Sequence, residues 1–167
     1  MSDSAALFLG RFPRRAILLD SNLLLLTMVG SYDPKLIGTF KRLNDFTVRD
    51  FEILTLLTSE FQTLVSTPHV LTEVNGLANQ LPSWIKIEWH DHFARGIKLL
   101  EERHILAAEL SSLPEFRIFG ITDAALSLMA GETFFVTADN RLRSHLQKRS
   151  LFAVSFDEIR AVYPREA

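Results

Sequence analysis

The sequence predicts an α/β protein built on a central parallel sheet with helices over both faces. Three observations carry that prediction. Short aliphatic runs without polar alternation, RAILLD at residues 15–20 first among them, suit strands buried on both sides. Helix-capping residue types follow the strand candidates directly, as at Asp20-Ser21-Asn22 and Thr67-Pro68. Strand and helix candidates then alternate along the chain, as parallel strands joined by crossover helices require.

Residues 1–14 read as a loosely held arm and residues 15–167 as a single domain. After the first strand, residues 23–29 read as helix, which the Gly30 to Asp33 stretch ends before Pro34 opens the next turn. Residues 34–64 are mostly helical in character, with a break at 44–47, and residues 64–67 form a second strand candidate. Thr67 and Pro68 then launch a helix over 69–80. Leu81-Pro82-Ser83 breaks the chain, residues 84–111 carry helical periodicity in one or two pieces, and residues 116–120 read as a strand. Thr122 is expected to cap a helix over 123–130. The TFFVT run at 133–137 is β-branched and aromatic between turn formers, the best strand signal present. A helix over 140–149, a strand over 151–156 and a helix over 157–163 complete the pattern.

Composition narrows the function. With 167 residues, 47% of them hydrophobic and thirteen phenylalanines, the chain can bury a full core and is not disordered. The absence of cysteine excludes a thiolate nucleophile, a cysteine zinc site and a disulfide scaffold. A net charge of −2 argues against coating nucleic acid by bulk electrostatics and leaves room for a local basic groove. Residues 17–29 fall short of the roughly 20 apolar residues that span a bilayer, and Asp20, Ser21 and Asn22 interrupt them. No membrane partner and a cytoplasmic location are expected. There is no G-x-S-x-G elbow and no glycine-rich phosphate loop. His90 and His92 flank Asp91 at a spacing that does not share a helix face, so a metal role is discounted there. Trp84 and Trp89 are expected to pack on the core, and His69 to hydrogen-bond Glu73 one turn away.

Four acids stand out by position. Asp20 and Asp139 follow strands, and ligands of open parallel sheets bind beyond the carboxyl ends of the strands. Glu73 lies early in the helix after the second strand, beside the stripe formed by Val70, Val74, Leu77 and Leu81; Asp123 aligns with Leu126 and Ala130 in the same way. Taken singly, Asp20, Asp123 and Asp139 read as helix caps and Glu73 as a surface residue. Taken together they form a candidate set. Crowded carboxylates repel, and a hard divalent cation such as Mg²⁺ or Mn²⁺ is the simplest remedy, with phosphate completing its shell.

At those residues the chain resembles the PIN-domain family of metal-dependent nucleases, in particular its VapC-like toxin group. The matching stretches are ILLDSN (17–22), STPHVLTEV (66–74), ITDAALSLMA (121–130) and FFVTADNRL (134–142). The resemblance implies a three-layer α/β/α sandwich and an acidic metal pocket. Asp20, Glu73, Asp123 and Asp139 match the four acids, with Asp20, Asp123 and Asp139 as the chief ligands of Mg²⁺ or Mn²⁺. Asn22 and Thr137 match the polar residues that orient carboxylates or bound waters. The segment 23–72 is longer and more helical than in the smallest members of the family.

The activity implied is hydrolysis of RNA phosphodiester bonds by an endoribonuclease, as the toxin of a toxin–antitoxin pair. An antitoxin protein and a homodimer, with residues 34–64 as its surface, are the protein partners implied. Arg141 and Arg143 are the leading RNA contacts, with His145, Lys148 and Arg149 behind them on the same predicted helix. Asp20→Asn is expected to abolish cutting while leaving melting behaviour nearly unchanged. The alternatives are a catalytically silent PIN-like scaffold or regulatory module, and a structure-selective DNA nuclease.

Overall fold

A computed structural model describes residues 15–163; the arm expected at residues 1–14 lies outside the described residues. Five strands, β1 (Ala16–Leu19), β2 (Thr63–Ser66), β3 (Glu101–Glu102), β4 (Phe134–Thr137) and β5 (Val154–Ser155), form one sheet in the order β3-β2-β1-β4-β5. Every pairing is parallel, with Leu18 opposite both Val65 and Phe135. Helices cover both faces, giving a three-layer α/β/α sandwich. They are α1 (Ser21–Tyr32), α2 (Val48–Ser59), α3 (Pro68–Ala78), α4 (Lys86–Ile97), α5 (Ala107–Leu110), α6 (Pro114–Phe119), α7 (Ile121–Met129), α8 (Asn140–Lys148) and α9 (Phe156–Val162). Among the described residues no helix is long and apolar enough to cross a membrane.

The central strand is buried because its neighbours lie on both edges and helices on both faces, so Ile17, Leu18 and Leu19 are sealed from solvent. Helix α1 is apolar nearly all round, with Leu23–Leu26 buried, and packs against α2, α3 and α4. Its close approach to α2 needs Gly30, where a Cβ would run into the Phe51 ring. Helix α7 packs on α3, α5 and α6.

Chain reversal at the sheet edge follows one device. Asp20, Thr67 and Asp139 follow a strand closely and Ser155 ends one, and the side chain of each accepts a hydrogen bond from the first turn of the next helix. Helices α1, α3, α8 and α9 therefore all start at the carboxyl edge of the sheet. Strand order reverses between β1 and β4, so the crevice expected for a ligand opens where Asp20 and Asp139 stand.

Several elements differ from the sequence expectation. Residues 114–119 form helix α6 in place of a strand over 116–120. Pro114 fits the first helical position, and Glu115 is locked to the neighbouring helix α8 by ion pairs. Residues 84–111, expected to be helical, contain α4 and α5 with edge strand β3 between them; its two exposed glutamates carry no apolar signal. The 34–64 region is largely two 3₁₀ turns and α2. Thr122 does not cap α7: the N-cap is Gly120, and Thr122 already lies within the helix. The last strand shrinks to Val154–Ser155 because Ser155 caps α9 through a capping box with Glu158. Trp89 is buried as expected, whereas Trp84 is 79% exposed.

Candidate functional site

The carboxyl edge between β1 and β4 is organised by Asp20. Its Oδ1 accepts the Leu23 amide at 2.8 Å, and its Oδ2 accepts both the Thr137 hydroxyl and the Ala138 amide at 2.6 Å. One lone pair on Oδ1 remains open. The side chain is only 5% exposed. Thr137 links two acids: while donating to Asp20 it accepts the Asp139 backbone N–H at 2.9 Å. Asp139 in turn caps α8, Oδ1 accepting the Arg141 and Leu142 amides at 2.7 and 3.0 Å, which leaves Oδ2 outside the cap.

Glu73 reaches this edge from α3. Its Oε2 accepts the Ser21 hydroxyl at 2.9 Å, tying α3 to the first turn of α1. The expected His69–Glu73 bond is not made; His69 Nδ1 is buried without a hydrogen-bond partner among the described residues. Asp123 arrives from the first turn of α7, directly after Gly120 makes the turn out of α6 with φ +96° and ψ −177°, a conformation open essentially to glycine alone. Among the described residues the Asp123 carboxylate accepts no hydrogen bond.

The electrostatics single out Asp123. Burial first, then the nearby charges of Glu73, Asp139 and Asp20, push its carboxyl up to about 7. Among the described residues, the charges that act on it are those of other acids. Burial likewise raises the Asp20 carboxyl, against the hydrogen bonds from Thr137, Leu23 and Ala138, with Asp139 adding to the rise. The four predicted acids thus share one negative field. They do not form a ready-made shell, since no three potential metal ligands among the described residues stand together closely enough to clasp an ion. Coulomb forces reach well beyond a coordination bond of about 2.0–2.1 Å, so both findings hold. The donor set itself fits a hard cation: all oxygen, with open lone pairs on each acid. Mg²⁺ commonly binds one or two carboxylates directly and keeps several waters, so three direct contacts are not required.

A cavity of about 550 Å³ opens beside Asp139, lined among others by Asn22, Arg42, Asp45, Phe46, Asn140 and Arg141. It takes in Asn22 and Asp139 from the predicted set, while Asp20, Glu73 and Asp123 lie off its walls. Comparison with protein-family models, curated proteins and solved structures finds no match to this chain. The site stands on its geometry.

The basic residues of α8 divide into two groups. Arg141 lies at the cavity, its guanidinium 5.1 Å from the centre of the Phe119 ring. Arg143, predicted as an RNA contact, is engaged with Glu158 of α9 at 2.7 Å. His145 and Arg149 both close on Glu115, which is 1% exposed. Burial alone would raise the Glu115 carboxyl; hydrogen bonds from Arg149 and His145 overcome it and hold the group below its usual range. These side chains therefore bind α6 and α9 to α8.

Sequence reasoning missed Ser21, the residue that positions Glu73, although it adjoins Asp20. It also missed the cavity rim at Arg42 and Asp45, where exposed charges in a turn region carry no periodic signal. The Asp50–Arg160 pair escaped it as well: Arg160 holds both Asp50 oxygens, at 2.8 and 3.1 Å, and stacks over Phe156. A threonine three residues before Asp50 was a readable sign of the capping box that buries it.

Proposed function

We propose that this chain is a metal-dependent endoribonuclease of the PIN-domain type that hydrolyses RNA phosphodiester bonds. The observation that carries the reading is Asp123: a half-buried carboxylate among three other acids, pushed up to about 7 first by burial and then by their charges, with no hydrogen bond or cation from the described residues to answer it. Positions with such displaced ionisation cluster at functional sites.

A bound Mg²⁺ or Mn²⁺ would lower the pKa of a coordinated water and stabilise charge on the phosphate. Asp123, Oδ2 of Asp139 and the open lone pair of Asp20 are the groups that would hold it. Glu73, oriented by Ser21, completes the acid set directly or through a water. Thr137 keeps the Asp20 and Asp139 segments in register, and Asn22 stands at the rim where a phosphate oxygen or a bound water needs a donor. Arg141, unpaired with any acid among the described residues and lining the cavity beside Asp139, would meet a flanking phosphate.

The decisive measurement is cleavage of single-stranded RNA in Mn²⁺ or Mg²⁺ by the wild type and by Asp123→Asn. A loss of at least about 100-fold in the variant, and of all activity in EDTA, is expected. Full activity in either condition overturns the reading. The toxin role belongs to the same proposal: induced expression is expected to arrest growth and Asp123→Asn to abolish the arrest, and unimpaired growth with the wild type overturns the toxin role. A flap DNA substrate run alongside separates RNA from DNA cutting.

The competing reading, a catalytically silent PIN-like module, draws on the absence of a ready clasp among the described acids. Calorimetric titration with Mn²⁺ separates the two, since a silent module gives no heat that depends on Asp123.

A further inference from the structure

The cavity beside Asp139 carries chemistry that the acid set does not use. Its mouth holds two cations not neutralised by an acid among the described residues: Arg141, and Arg42, whose Nε donates to the uncharged Gln80 amide at 3.2 Å. Its lining holds the half-buried ring of Phe46, tilted against Phe156 with centroids 6.2 Å apart and with the Arg160 guanidinium 5.8 Å from the ring centre. Asn140, also in the lining, accepts the Ser155 hydroxyl on Oδ1 at 3.4 Å, and its side-chain N–H groups donate to no described residue. Asp45 lines the same space, together with Asp157, which Arg160 holds in an ion pair at 2.7 Å. The Asp45 backbone carbonyl is taken by Arg160, but its carboxylate accepts no hydrogen bond from a described residue.

Phosphate-binding cations, an aromatic wall and a carboxylate with open lone pairs, around a space of about 550 Å³, match the parts of one nucleotide. We infer that the cavity is a substrate subsite that seats the nucleotide next to the cut phosphate and favours guanine through Asp45. Guanine presents two adjacent donors, N1–H and the N2 amino group, which a carboxylate accepts side by side. Uracil offers one donor between two carbonyls, and both carbonyls repel the carboxylate. Adenine and cytosine each offer an amino group without a second adjacent donor. Phe46 supplies the stacking face, and Arg42 and Arg141 take phosphate oxygens. The inference deepens the nuclease reading and rests on it for the identity of the substrate; binding by the cavity is measured separately.

The test has two arms. Calorimetric titration of the metal-free protein in EDTA with guanosine and uridine 5′-monophosphates should show guanosine binding about tenfold tighter. In Asp45→Asn, a change at an exposed turn position that does not threaten the core, this gap should close. Equal binding in the wild type, or an unchanged gap in the variant, overturns the inference. In the second arm, RNA of random sequence is cut in Mn²⁺ and the fragment ends are sequenced. Guanine should be enriched at one fixed position beside the cut in the wild type and fall to background in Asp45→Asn, whatever the total rate. No enrichment in the wild type overturns the inference. Absence of any cutting overturns the nuclease reading instead, and the nucleotide titration then decides the cavity alone.

Discussion

Asp20 and Asp50 are buried to nearly the same degree, 5% and 6% exposed, yet their carboxyls move in opposite directions. Burial pushes both up. At Asp50 the Arg160 guanidinium and the Thr47 hydrogen bonds reverse the push, and at Glu115 Arg149 and His145 do the same. Among the described residues, uncharged donors answer Asp20, and the charges that act on Asp123 are those of acids. The fold therefore neutralises its structural acids internally and leaves the acids of the sheet edge short of positive charge. Burying a charge without a counter-charge is costly, so the contrast separates groups retained for stability from groups retained for something else.

The largest test of that contrast is Arg160→Ala, which strands Asp50 and should cost about 3 kcal/mol in denaturant unfolding. Because the folded carboxyl of Asp50 lies below its usual value, the ion pair stabilises above roughly pH 4 and the contribution fades as pH falls through the folded value. The difference between wild type and variant should shrink on acidification. A constant difference would mean that Arg160 acts through packing on Phe46 and Phe156 alone.

Asp20→Asn should come next, at about 2 kcal/mol. An amide keeps one acceptor, while three donors converge on the carboxylate and two of them share Oδ2. The sequence alone led to an expectation of nearly unchanged melting; with three donors on one carboxylate a loss is expected instead, and Asp123→Asn is the cleaner probe of chemistry. An unchanged unfolding midpoint in Asp20→Asn would show that relief of the buried charge offsets the lost bonds.

Asp123→Asn should have the opposite sign. Its folded carboxyl is raised to about 7, so between roughly pH 4 and 7 the folded state holds a proton that the unfolded state has lost, and stability declines as pH rises. Discounted for partial exposure, the metal-free variant should be about 1 kcal/mol more stable than wild type at pH 8, and no different near pH 4. Added Mn²⁺ should stabilise the wild type more at pH 8 than at pH 5, because protons compete for the same oxygens. A variant less stable at pH 8 would contradict the shared negative field.

The smallest effect separates two neighbours on α8. Arg141→Ala should reduce the salt slope of RNA binding by about one, whereas Arg143→Ala should leave the slope unchanged and cost under about 1 kcal/mol of stability through Glu158. Equal slopes for the two variants would remove Arg141 from the interface.

Strands β1 and β4 were legible because a strand buried on both faces needs an unbroken apolar run, and Asp20 and Asp139 because a polar cap must follow such a strand where the next helix begins. Strand β3 was not, since Glu101 and Glu102 pair only through their backbones with β2 at an exposed edge. Helix α6 was misread because Phe116, Ile118 and Phe119 favour strands locally, while the contacts that hold it helical come from His145 and Arg149 some thirty positions on. The same distance concealed the structural employment of Arg149. Spacing can place a charge on a face, but the partner it meets there is set by tertiary packing.

Gly120 stands in open space, where a Cβ would touch nothing. Steric maps of its surroundings would pass every small residue there. Only the torsion objects, and relaxing it would swing the first turn of α7 and carry Asp123 away from its three companions. A saturation library scored for abundance and for activity should therefore split at this codon, with variants that accumulate yet do nothing. The third acid's address is held by a dihedral angle, in a currency that contact-based conservation of the pocket would never register.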